Sequence, residues 1–410
     1  MSAPDVVRKK VARIIADVRT RGDVAVREWS RKLDKLSGPF EVSPAELRRG
    51  WKETTGEVRD AIRLAVRNVS LVSEKQLPRP FSIDVRDGVR IEQRVQPLGH
   101  VACYVPGGRF PLVSSLIMTV VPARVAGVRQ VTVACPAMTP AICCAAIEAG
   151  ATRVLRIGGA QAIAALAYGT GSIARADKIV GPGSAWVAAA KAQVAADCAI
   201  DFNAGPSEIV VWSDRGRADW ITADLLAQAE HDPEARAILV TTSRQLAETV
   251  RRGLGNQAAL RTPKATPTVH LVPSLADAIA LVNRLAPEHL VCDTRRDAAR
   301  ITSAGTIFVG QWSAQASGDY VTGSNHVLPT GGAARFRGGL SAADFVRVFT
   351  VQTLTRSGIQ ALSRSAIVLA ESEGLLAHAK SIRCRVVDNS QSSILNPQSS
   401  LPPSGRKAPV

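Results

Sequence analysis

Six histidines occur in the 410 residues, and four of them stand beside groups that can share a proton or a metal. His231 lies in QAEHDP, His289 in PEHL, His326 in GDYVTGSNHVLPT and His378 in EGLLAHAK. Imidazole is the side chain best suited to proton transfer and metal ligation near neutral pH. Four histidines placed among Glu, Asp, Gln and Asn, in a chain with so few, point to chemistry. His100 and His270 have no assigned chemistry and read as structural.

Spacing refines this. Gln228 and His231 are three residues apart on an expected helix and share a face, with Asp224 four residues before Gln228. An amide oxygen beside an imidazole nitrogen suits a borderline cation such as zinc. A histidine in the last helical turn also complements the helix dipole, so this pair alone leaves both readings open. Glu288 and His289 are adjacent and supply the minimum for general acid–base work. Neighbouring side chains on a regular strand point to opposite faces, so both serve one site only at an irregular strand entry, which Pro287 makes possible. The segment Gly318 to Gly332 is dense in glycines and polar groups, and such irregular loops carry function more often than packing. Within it Asp319 offers a metal ligand and His326 a second imidazole. Glu373 and His378 lie five apart at a helix end.

Four glycine segments complete the inventory: YVPGG (104–108), IGGAQ (157–161), VGPGS (180–184) and AGPSE (204–208). Three follow an expected strand and approach a helix, where anions and nucleotides bind in α/β sheets. None matches GxGxxG or the P-loop pattern, and a tight strand-to-helix turn explains any single one.

The elements that must position these residues alternate in type. Helical spacing marks 5–32 and 44–76, and alternation marks a strand over 89–95. Short strands are expected at 100–105, 131–134, 153–157 and 178–180, with helices at 113–126, 138–149, 160–168 and 185–195. A second series has strands at 209–212, 237–241, 268–271, 290–292 and 306–309, with helices at 218–230, 243–254, 274–285 and 295–303. This rhythm implies right-handed crossovers and parallel sheets. The fold class is therefore α/β, with two tandem Rossmann-like parallel-sheet domains, an N-terminal helical segment and a small C-terminal helical extension. After 310 a loop (313–340) leads to helices at 341–347 and 357–378 and a strand at 380–386. Two α/β units in tandem fit an internal duplication, although no sequence repeat shows it.

Composition narrows the class. Apolar residues make up 46% and aromatics 4%, so the core is built from aliphatic side chains. The net charge of +16 comes from scattered Lys and Arg with no dense run and no aromatic interleaving, which favours a solvated basic surface over a nucleic-acid footprint. The seven cysteines form no CxxC pair and sit mostly in apolar runs, as reduced, buried thiols do. No membrane-length apolar stretch and no signal-peptide core is read, so a cytoplasmic protein is expected.

The segments CYVPGG, RIGGAQAIAALAYGT, KIVGPG, DFNAGPSEIVV, DLLAQAEHDP, APEHL, AGTIFVG, GDYVTGSNHVLPT and EGLLAHAKSIR, in this order over about residues 5 to 386, resemble histidinol dehydrogenase. The resemblance implies a zinc-dependent homodimer, with one Zn2+ per subunit. It oxidises L-histidinol through L-histidinaldehyde to L-histidine with two NAD+, the last steps of histidine biosynthesis. It implies Gln228, His231, Asp319 and His378 as zinc ligands, the last from the partner subunit. It implies Glu288 and His289 as catalytic acid/base residues. Ser207, His326 and Glu373, together with His289 and the four ligands, are implied substrate contacts. Tyr104, Gln161 and Ser184 are implied cofactor contacts, Ser184 standing where the family usually has Asn; its shorter hydroxyl has less reach. The expected domains are 1–95, a helical segment packing on the second α/β unit or a partner; 96–205 and 206–312, the α/β domains; 313–386, the active-site loop and dimer-contacting segment; and 387–410, a disordered tail. The competing readings are a zinc- and NAD-dependent relative acting on another polyol or amino alcohol, and a basic nucleic-acid-binding protein with a vestigial site.

Overall fold

The computed structural model describes residues 5–107, 112–202, 205–230, 233–258 and 265–386. The expected disordered tail, 387–410, lies outside them. The chain divides into two units: residues up to Pro78 with Gln96–Arg347, and Arg79–Val95 with the chain from Val348 on.

The first unit is built on two five-stranded parallel sheets. In the first, the strands run in the order Arg153–Leu155, Gln130–Ala134, His100–Tyr104, Lys178–Val180, Ala199–Ile200. In the second, the order is Thr268–Leu271, Arg236–Thr241, Glu208–Trp212, His289–Cys292, Thr306–Val309. Ranked by sequence, both read 3-2-1-4-5, the doubly wound order that reverses between strands 1 and 4. The tandem α/β expectation holds, with most boundaries shifted by a residue or two; the helix expected over 295–303 ends at Ala298, and that expected over 243–254 runs on to Ala258. The two-residue strand Ala199–Ile200 is too short to leave a periodic signal.

Strands covered on both faces must be apolar throughout. On the first sheet Val101, Cys103, Val131 and Val133 face one cluster, with Leu116 and Met118. Ala102, Tyr104 and Ala134 face another, with Ile163 and Leu166. The N-terminal helices form an outer shell on both sides. Asp5–Arg21 and Asp23–Leu33 pack on Gly159–Tyr168, and the first also on Ala185–Val194; Pro44–Glu53 and Gly56–Gln76 pack on Pro140–Ala149 and Val113–Val125. These helices therefore cover the first sheet, where 1–95 was expected on the second α/β unit or a partner. Each long N-terminal helix is also broken in two. Gly22 takes a left-handed φ of 53°, and Thr54 and Thr55 are extended, Thr55 starting the next helix.

The second unit departs most from expectation. Phe81–Arg86 pairs antiparallel with Val89–Pro97 around Asp87-Gly88, and Val346–Leu354 completes a three-stranded sheet. The helix expected over 341–347 is a 3-10 turn, Ala342–Phe345, closed by a Ser341–Asp344 capping box, and the chain enters the strand at Val346. The expected helix 357–378 is Arg356–Ser372, which ends before Gly374 (φ 74°). The expected strand 380–386 is instead helical, within Leu376–Val386. Ala379, Ile382 and Val386 are its less exposed positions, at spacings of three and four, and that is a helical period. No helix among the described residues is long and apolar enough to cross a membrane.

Candidate active site

Glu288 and His289 sit where strand His289–Cys292 begins. Ala286 caps the preceding helix, Leu275–Leu285, in a left-handed conformation (φ 47°), costly for a residue with a Cβ. Pro287 follows, and His289 is the first strand residue. This irregular entry brings both side chains to one side of the sheet's edge. Gly305 packs on the Glu288 backbone so closely that a Cβ would strike its carbonyl.

Both residues are buried, Glu288 at 6% and His289 at 4% exposure. Glu288 Oε2 accepts from Ser207 Oγ at 2.7 Å and from the Glu208 backbone N–H at 2.8 Å. Burial pushes the Glu288 carboxyl up to about 8 against the pull of those bonds, and the neighbouring charges of Glu208 and Asp319 push the same way. His289 Nδ1 donates to the Glu208 carbonyl at 3.3 Å, which makes Nε2 the basic nitrogen of the neutral ring. Nε2 lies 3.7 Å from Asp319 Oδ1. Phe308 packs beside the imidazole, ring centres 6.1 Å apart.

Gln228 joins this group from helix Ala218–Ala229. It is buried at 1% exposure, and its Nε2 donates to Ser207 Oγ at 2.7 Å. Ser207 thus links Gln228 to Glu288. Gln228 Oε1 is buried with no hydrogen-bond partner. Asp224, one turn back, carries a carboxyl that burial alone raises to about 6. His231 lies outside the described residues.

The loop after 312 is fastened across the site. Asn68 Nδ2 donates to the Val321 carbonyl and Asn325 Nδ2 to the Met118 carbonyl, both at 2.7 Å. The Gly331 N–H donates to Glu208 Oε1 at 3.0 Å. Asp319 Oδ2 accepts from Gln315 at 2.8 Å. His326 is held by the Asp319 carbonyl at Nδ1, 2.8 Å, and by Ser115 Oγ at Nε2, 3.4 Å. Ser207, Gln228, Glu288, His289, Asp319 and His326 are therefore linked contact to contact. Glu373 and His378 belong to the second unit and are exposed there. Among the described residues no three His, Cys, Asp or Glu side chains are grouped to hold a metal.

A cleft of about 630 Å³ opens at the C-terminal edge of the first sheet, with Tyr104, Gly107, Pro136, Gly159 and Ser184 in its wall. Tyr104 is buried, which pushes its phenol up to about 12, and its oxygen accepts the Gly159 N–H at 3.2 Å. Gln161 is fully buried, gives its Nε2 to Asp34 at 3.0 Å, and keeps Oε1 without a partner. Ser184 starts helix Ala185–Val194 without making a side-chain cap. The turn before it is fixed by a buried ion pair between Lys191 and Asp201. Asp201 also accepts the Gly181 N–H at 2.7 Å. Gly181 has φ 113°, and a Cβ there would collide with the Tyr104 carbonyl.

Three positioning residues went unread in the sequence. Glu208 follows Ser207 in the AGPSE segment and could have been weighed with it. Asp34 and Phe308 carry no local signal, because only the tertiary fold brings them to their partners.

Comparison with known proteins gives the chain's family. The family model described as histidinol dehydrogenase matches residues 2–386. Histidinol dehydrogenase of Haloarcula marismortui is 43% identical over 399 residues, covering 93% of this chain and 94% of that protein. That of Methanosarcina barkeri is 41% identical over 397 residues, covering 92% of each. The crystal structure of histidinol dehydrogenase from Elizabethkingia anophelis superposes with a TM-score of 0.89 at 32% identity, over 93% of this chain and 92% of that one. The chain belongs to the histidinol dehydrogenase family.

Proposed function

We propose that the protein oxidises L-histidinol through L-histidinaldehyde to L-histidine, reducing two NAD+, as the last steps of histidine biosynthesis in the cytoplasm. The observation that carries this reading is the buried chain Gln228–Ser207–Glu288, with His289 beside it facing Asp319.

His289 takes the hydroxyl proton at Nε2 as hydride leaves the carbinol carbon; Nδ1 stays committed to the Glu208 carbonyl, which keeps the ring in the basic tautomer. The aldehyde then gains water, and ionised Glu288 accepts a proton from it before the second hydride leaves. The balance is alcohol, water and two NAD+ to acid, two NADH and two protons. Burial of the pair excludes bulk water, and holding the aldehyde in one site prevents its loss. Ser207, His326 and Glu373 serve as further substrate contacts.

Zinc fits the donor set. Gln228 Oε1 is a dry oxygen with no partner, and a cation would satisfy it. Gln228, Asp319, His231 and His378 would hold the ion, which supplies a Lewis-acidic anchor for the imidazole and amino nitrogens of the substrate. NAD+ supplies the hydride acceptor, with Tyr104, Gln161 and Ser184 as its contacts. The partnerless Gln161 Oε1 offers it a buried acceptor.

A homodimer with shared active sites completes the reading. The second unit leaves Phe81, Ile83, Val85, Leu369 and Leu376 more than half exposed, apolar side chains that a second copy could cover. His378 would reach the partner's site from this unit, so a monomer would be inactive.

Turnover tests the reading. Purified protein with zinc, NAD+ and L-histidinol yields two NADH per L-histidine, with no free aldehyde. Oxidation of a different alcohol but not of L-histidinol would overturn it.

A further inference from the structure

The dinucleotide's two phosphates need positive charge, and three glycine N–H groups in the strand-edge turns of the first sheet are already engaged. In doubly wound sheets a helix N-terminus and free turn N–H groups take this role. Here the helix after the first strand begins only at Val113, nine residues beyond Tyr104. In the other two turns three glycine N–H groups are engaged. The Gly158 N–H goes to Asp34 Oδ2 at 3.0 Å, the Gly159 N–H to the Tyr104 oxygen, and the Gly181 N–H to Asp201.

Opposite those turns, the wall of the cleft comes from the first two helices, Asp5–Arg21 and Asp23–Leu33, and it carries Lys10, Arg13 and Lys32. All three are exposed, and among the described residues none forms an ion pair with a carboxylate. The carboxylate that lines the same cleft, Asp34, is committed through Oδ2 to both Gly158 and Gln161. Exposed cations without a carboxylate ion pair, Lys32 lying over the Trp29 ring, at the mouth of an otherwise apolar cleft create a field that draws in an anion.

We infer that Lys10, Arg13 and Lys32 form the phosphate grip of the cofactor cleft, so that the N-terminal helical pair is part of the dinucleotide site. The inference rests on the reading that this cleft binds NAD+. It assigns the phosphates to side-chain charge where a glycine-rich turn would use backbone N–H groups. The nicotinamide and adenine ends are left to the apolar wall of Pro106, Pro136 and Trp186.

Charge reversal in the full-length protein tests it. Arg13→Glu and Lys32→Glu change exposed positions and leave the melting temperature in place. Titration with NADH, followed by calorimetry, is expected to weaken about tenfold for each reversal, while Lys32→Arg restores binding. KM for L-histidinol and zinc content stay as in the unaltered chain, which separates a phosphate contact from a general structural fault. NADH binding within about twofold of the unaltered chain in a Lys10→Ala/Arg13→Ala/Lys32→Ala triple variant would overturn the inference. A failure of the unaltered chain to bind NADH would overturn the cofactor reading and this inference together.

Discussion

At the first sheet the C-terminal ends of the strands carry an open cleft, and the loops that shape it run to helices Gly159–Tyr168 and Ala185–Val194. At the second sheet, wound in the same order, those ends are closed. Asp293 accepts from Ser213 Oγ at 2.6 Å and from the Asp214 N–H at 2.9 Å. Asp214 in turn accepts from both the Thr241 and Thr242 hydroxyls, each at 2.8 Å. The donors that could have met a phosphate are satisfied from within, and the polar constellation of the second sheet gathers at its opposite, N-terminal edge. Residues 201–207 join the cleft edge of the first sheet to that edge of the second, a span of at most roughly 25 Å when extended. One topology used twice can therefore serve two roles, because the loops and not the strand order decide which edge stays open.

This contrast breaks first at the acid–base pair. His289→Asn is expected to lower kcat by about a thousandfold, with zinc still bound by metal analysis; loss of metal in that variant would reassign His289 to the ligand set. Next come the two sheet edges. Lys191→Met leaves Asp201 as a buried unpaired charge and is expected to cost roughly 3–5 kcal/mol in urea unfolding, and to raise KM for NAD+ by loosening the turn at Gly181. Asp293→Ala frees one hydroxyl and two N–H groups at the closed edge. It should cost about 1–3 kcal/mol and leave kcat and both KM values unchanged; a rise in KM for NAD+ would show that the second sheet's closed edge also serves the cofactor.

The pH dependence sharpens the same comparison, because Glu288 is the buried carboxyl that the proposed chemistry needs ionised. Its carboxyl, at about 8 against 4.5 when exposed, carries a proton at neutral pH, so kcat is expected to climb as the pH passes through about 8. The folded chain holds this proton more tightly than the unfolded chain does. Its contribution to stability is therefore full below about 4.5 and is lost as pH rises through about 8. Glu288→Gln removes that loss, so the variant's melting temperature changes less than the wild type's over this range. Smallest is Ser184→Asn, which lengthens the hydroxyl's reach to that of an amide and should lower KM for NAD+ a few-fold, roughly 1 kcal/mol or less.

Much of this was legible in the residues. Ten parallel strands and their crossovers leave apolar runs separated by turn residues, and nine of the ten were found. The polar neighbourhoods of His289 and His326 did fall together. The misses have physical causes. Phe81–Arg86 and Val346–Leu354 are largely exposed strands whose alternation has no buried face to enforce it. Ile382 and Val386 fit a strand end as well as a helical face until packing against Arg356–Ser372 decides. Asp34 acts through a partner 124 residues away in the chain, beyond the reach of any local pattern.

The division of labour between the sheets is tested most directly by a crystal structure of the zinc-loaded dimer with NAD+ and L-histidinol, its turnover blocked by His289→Asn. The account predicts the dinucleotide along Tyr104, Gly159 and Ser184 at the first sheet, and the substrate's carbinol carbon beside residue 289 and Glu288 at the start of the second. A dinucleotide lying over Ser213 and Asp293, at the closed edge, would contradict it.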